Sequence, residues 1–116
     1  MFPNVRVIGA DETTTTAAAA NALQVVTVKA KLFTVSAFNN TAGDLYLQAH
    51  DSAGTPSEGA VPKLTTTAYA GMSGGFGFTD GAIFKNGIYI CFSDLAIEKQ
   101  LAAAGTGLID ATFRRI

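Results

Sequence analysis

The chain has almost none of the residues from which small proteins build reactive or metal-bound centres: one cysteine, one histidine and no tryptophan in 116 residues. A single thiol, Cys91, excludes an intrachain disulfide and leaves too few sulfur ligands for a zinc knuckle. It lies in the apolar run from Ile88 to Phe92, where a free cysteine behaves as a small buried hydrophobe. Charge is also scarce, at 15% of residues with a formal net charge of -1, against roughly 25% in ordinary soluble domains. A surface so poor in charge is expected where neighbours cover part of it. The 8 Lys and Arg are scattered along the chain and form no stripe of the kind that phosphate backbones require, so nucleic acid is not an expected partner. The N-terminus from Met1 to Arg6 lacks the apolar stretch of a secretory leader, and no later run is long enough to span a membrane. The expectation is a protein made in a cytoplasm, with no membrane partner.

What the chain does have is alternation and turn chemistry. Leu23 to Phe38 alternates for most of its length and is rich in β-branched residues, which is strand chemistry. The adjacent pairs Val25-Val26 and Leu32-Phe33 break the alternation, so a bulge or bend between two pieces is expected. Asn39 to Asp44 reads as a hairpin turn leading to a strand from Leu45 to His50. Asp51 to Val61 is a surface loop, Pro62 to Ala70 a strand, and Gly71 to Gly75 a turn into the strand of Phe76 and Phe78. Asp80-Gly81 and Asn86-Gly87 are turn dipeptides. Ile88 to Phe92 has the unbroken apolarity of a central strand, and Leu108 to Arg114 is the last one. Ser93 to Gly105 suits either a short helix near 94–104, capped by Ser93 or Asp94 and ended by Gly105, or an irregular loop.

About seven to eight short antiparallel strands with frequent turns predict an all-β single domain, a β-sandwich or jelly roll. The Thr/Ala-rich segment after Ile8 has no large side chain to anchor it, and its four consecutive threonines oppose helix. Residues 1–20 are therefore expected to form an extended strand and arm, and residues 21–116 the sandwich. The arm offers Phe2, Val5, Arg6, Thr13 and Thr14 as protein contacts, and the tail offers Arg114 and Arg115.

No catalytic constellation emerges. His50 has no serine or cysteine motif beside it and is expected to be a satisfied or solvated side chain. The glycines between Gly71 and Gly81 lack the Lys-Ser/Thr ending of a phosphate loop. Asp44, Asp51, Asp80, Asp94 and Asp110 do not have EF-hand spacing. Asn39 begins an Asn-x-Thr triplet, which has no meaning without secretion. No cofactor or metal is expected, and no enzyme activity.

Leu45 to Asp51, the spacer ending in Gly59 to Pro62, Phe76 to Phe78 followed by Gly81, Asn86 to Cys91, and Asp110 to Arg114 together resemble small virion structural proteins of tailed bacteriophages. The resemblance implies a β-sandwich component of the particle. Head decoration, or capsid cement, is the leading role, and a tail, baseplate or fibre part that binds a ligand or receptor is the alternative. The implied partners are the major capsid protein or other virion proteins, with copies of the chain assembled as a homo-oligomer such as a trimer. Neither the Thr/Ala arm nor the Ala-rich segment before Gly105 has a counterpart in that group.

Overall fold

The computed structural model describes residues 12–16, 20–103 and 106–116. Among them lie eight strands: β1 (Glu12–Thr15), β2 (Ala22–Val26), β3 (Ala30–Asn39), β4 (Leu45–Asp51), β5 (Leu64–Ala68), β6 (Ser73–Phe84), β7 (Ile88–Ser93) and β8 (Gly107–Arg115). They form two four-stranded antiparallel sheets, β1-β8-β3-β6 and β2-β7-β4-β5. First pairs with last, second with seventh, third with sixth, and fourth with fifth. The chain is thus one long antiparallel hairpin rolled up on itself and closed by the β3–β8 and β4–β7 pairings. That order is the eight-stranded jelly roll, with its two Greek keys.

Side-chain alternation explains the two layers. On β8, Ile109, Ala111 and Phe113 point inward while Leu108, Asp110 and Thr112 point out. On β3 the inward residues are Ala30 and Leu32, then Val35 and Ala37, so the parity changes midway. The register shift between Leu32 and Thr34 supplies that change; without it one half of the strand would turn its apolar side to water. A second shift falls between Gln24 and Val26, so both breaks in alternation are bulges. The bend expected between the two pieces lies at 27–29, where the chain passes from one sheet to the other. Leu47, Ala49, Ile88, Ile90 and Phe92 complete the core from the facing sheet, with Phe84 between the layers. β7 is buried along its whole length, flanked by β2 and β4, as its unbroken apolarity predicts.

Two local expectations are corrected, and one open alternative is resolved. Asn39 to Asp44 is not a hairpin turn: β3 and β4 belong to different sheets, so the segment arches across the sandwich. Buried Asn39 holds the arch, its Nδ2 donating to the carbonyls of Ala68 (2.8 Å) and Gly43 (3.0 Å). Asp80-Gly81 does not end a strand but lies inside β6, where residues 78–81 bulge opposite Phe33. Gly81 has φ +81° there, and a Cβ would stand 3.1 Å from the Phe33 ring, so the position requires glycine. Finally, residues 94–103 contain no helix and take the irregular-loop alternative. Their carbonyls are drawn to side chains of β4 and β7, which compete with helical hydrogen bonds. Among the described residues no helix is long and apolar enough to cross a membrane.

Candidate functional site

The two sheets turn very different outer faces away from the core. Gln48 and His50 of β4 and Tyr89, Cys91 and Ser93 of β7 point outward yet are buried, at 5% exposure or less. Two loops, 52–63 and 94–103, lie over them as a roof. Gln48 Nε2 donates to the carbonyls of Leu95 (2.7 Å) and Glu98 (2.9 Å). Ser93 Oγ donates to Leu95 O (2.9 Å) and accepts from the Gln100 amide (3.0 Å). The loops are also bonded to each other, Gly59 N to Lys99 O and Lys99 N to Ala60 O. Lys99, 3% exposed, threads between them, donating from Nζ to Pro56 O at 2.7 Å and pairing with Glu58 at 3.4 Å. Its ammonium lies 5.8 Å from the Tyr89 ring centroid.

Under this roof His50, Tyr89 and Cys91 are shifted toward their uncharged forms. Burial, and then the Lys99 ammonium, keep the His50 imidazole below its ordinary range. Its Nε2 lies 2.9 Å from Gln48 Oε1, an acceptor that selects the neutral tautomer carrying a proton there. Burial pushes the Cys91 thiol up to about 12, only partly countered by Lys99, so the thiolate needed for nucleophilic attack is suppressed. Burial likewise raises Tyr89. None of these groups is arranged as a nucleophile beside its base. His50 and Cys91 both meet Gln48 Oε1, and Gln48 and Ser93 hold the loops down.

At the open edge of the roof lies a recess of ≈ 380 Å³ lined by His50, Asp51, Ser52, Pro56, Val61 and Lys63, among others. Burial raises the Asp51 carboxyl, but amide donors from Asn86 and Lys85 outweigh it and hold the group below its ordinary range. Asp51 therefore caps the β6–β7 connection. Asp44 accepts from the Ala70 amide and Asp110 from Thr15 Oγ1. Among the described residues no three His, Cys, Asp or Glu side chains gather as a metal site.

Among the described residues, none roofs the outer face of β1-β8-β3-β6. Its side chains form cross-strand rungs: Leu108–Phe38–Ser73, then Thr15–Asp110–Ser36–Gly75, then Thr13–Thr112–Thr34–Gly77. Most are small and uncharged, so the surface is flat. A shallow groove of ≈ 230 Å³ runs between Phe38, Leu108, Ser36, Ser73, Thr15 and Asp110. The next rung brings Lys31 and Arg114, whose guanidinium lies 5.2 Å from the Phe33 ring centroid.

The structure brings four of the seven expected contact residues onto two adjacent strands. Thr13 and Thr14 pair with Thr112 and Ala111 of β8, so this part of the arm is docked on its own sheet. Arg114 and Arg115 end β8, and Arg115 pairs with Glu12 at 3.2 Å. Phe2, Val5 and Arg6 lie outside the described residues. Sequence reasoning passed over Gln48 and Lys99 and read Ser93 only as a candidate helix cap. No known protein family, curated protein or solved structure matches the chain.

Proposed function

We propose that the chain is a non-enzymatic structural protein of a tailed-phage particle, a head decoration protein that docks on the capsid shell through the bare face of β1-β8-β3-β6. The observation that carries the reading is that face: three rungs dominated by Thr, Ser and Gly, with Leu108 47% exposed beside Phe38. Such a face has little charge to desolvate and few long side chains to immobilise on docking, which are the main costs of association. Eight-stranded jelly rolls recur in viral capsid and lectin domains, an analogy of fold that supports the reading without carrying it. The resemblance of residues 44–114 to small virion proteins points the same way. The partner is then the major capsid protein, with Thr13, Arg114 and Arg115 at the margin of the contact.

Quantitative mass spectrometry of purified particles tests this. A copy number equal to, or a simple fraction of, that of the major capsid protein supports decoration, and absence from particles overturns the virion reading. A few dozen copies would move the protein to the tail or fibre. One observation favours that alternative, the recess at His50 to Lys63 with Val61, 79% exposed, on its rim. Glycan-array binding that is lost on Lys63→Ala would establish it.

A further inference from the structure

Of the four strands at sheet edges, β1 has 4 residues, β2 and β5 have 5 each, and β6 has 12. Short edges offer little to a foreign strand, and long ones are normally protected by lysine, proline, inward charge or a β-bulge. From Ser73 to Gly77, β6 has none of these, its bulge at 78–81 lying beyond that stretch. It is hydrogen-bonded to β3 alone, and among the described residues no other main-chain bond reaches it. Gly74, Gly75 and Gly77 are all exposed, and for a glycine exposure is exposure of the main chain itself.

Two of those glycines have no explanation among the described residues of one copy. Gly75 is required, because a Cβ there would stand 1.7 Å from Val35 O. Gly74 and Gly77 have ordinary negative φ and nothing within 4 Å of where a Cβ would be. Glycine in a strand interior weakens it and often marks the close approach of another backbone. We infer that β6 is a pairing edge for a second copy of this chain, joined antiparallel about a twofold axis so that two four-stranded sheets become one continuous sheet.

The sequence of the edge fits itself. Ser73 to Thr79 carries no charge, so no like charges meet across the seam. Directly opposite residues must lie on the same face of the joined sheet. Of the registers that satisfy this, the two centred on Gly75 and on Phe76 set Gly74 of one copy opposite Phe76 or Phe78 of the other. An aromatic ring lying over a cross-strand glycine is a known means of pinning register. The twofold also makes the contact isologous and closed, so it gives a dimer and not a fibre. This pairing stands whether or not the protein belongs to a particle, so its failure and that of the virion reading are separate.

The test is sedimentation equilibrium of the full chain over micromolar to millimolar concentrations, for wild type and for Gly74→Lys/Gly77→Lys. A Cβ at either position meets nothing within 4 Å, so the variant is expected to fold, which an unchanged circular dichroism spectrum and melting temperature check. Hydrogen exchange of residues 73–79 is followed in parallel. The expected result is a wild-type dimer whose 73–79 amides become protected as concentration rises, and a variant that stays monomeric with those amides fast. A monomeric wild type throughout the range, or a variant that dimerises as tightly as wild type, overturns the proposal.

Discussion

The outer faces of the two sheets are built from the same alternating strands, yet one is sealed and the other is open. On β4 and β7 the outward positions hold Gln48, His50, Tyr89, Cys91 and Ser93; Gln48 and Ser93 reach up to loop carbonyls, and His50 and Cys91 turn to Gln48 Oε1. On β3 and β8 they hold Thr34, Ser36, Asp110 and Thr112, which have no loop above them among the described residues. The lesson is that polar residues facing away from a core do not by themselves mean solvent. What matters is whether their hydrogen-bonding capacity is aimed at another part of the chain or left short and level.

The sharpest way to break this comparison is to remove the roof's central anchor. Gln48→Ala strips the donor from the loop carbonyls of Leu95, Ala96 and Glu98 and the acceptor from His50; buried groups left unpaired in this way cost about 1–3 kcal/mol each. Urea unfolding is expected to show a loss of about 3 kcal/mol, with loops 52–63 and 94–103 becoming protease-sensitive. Lys99→Ala removes a buried stem and unpairs Pro56 O, with an expected loss of about 2 kcal/mol by the same measurement.

A smaller effect is expected with pH. Burial and Lys99 place His50 below its ordinary value in the folded state, so on acidification the unfolded chain takes up the proton first. Stability is therefore full above about pH 6.5 and falls as pH drops below it toward the folded-state value. Melting curves should show this decline in wild type and a flatter profile in His50→Gln. An identical slope in both would show that other groups govern it. Smallest of all, Ser36→Ala and Thr34→Ala on the open face should change stability by no more than about 0.5 kcal/mol. A loss comparable to that of Gln48→Ala would erase the distinction between the faces.

Much of this was legible in the sequence where the signal is local. The doubled apolar residues Val25-Val26 and Leu32-Phe33 announce bulges because parity must be repaired, and the run from Ile88 to Phe92 announces a strand covered on both sides. The sheet to which each strand belongs was not legible. Asn39 to Asp44 has good hairpin chemistry, but a turn's residues describe how the chain reverses, not which layer it enters next. Asp80-Gly81 has the same ambiguity, since a positive-φ glycine serves a bulge as well as a turn. The roof was invisible because Gln48 and Lys99 are residue types found mostly at surfaces, and only the tertiary fold brings Pro56, Glu58 and Lys99 together. The open face was present in the sequence as Thr, Ser and Gly at alternate positions, though nothing there announced that no loop among the described residues would cover it.

The most direct test of the account is hydroxyl-radical footprinting of the protein free in solution and bound to purified particles. Protection concentrated at Phe38, Leu108 and the neighbouring rungs of β3 and β8, with the roof loops unchanged, is the predicted result. Protection confined to Val61, Leu95 and Ile97 on the roof, with the β3–β8 face still fully reactive, would contradict it.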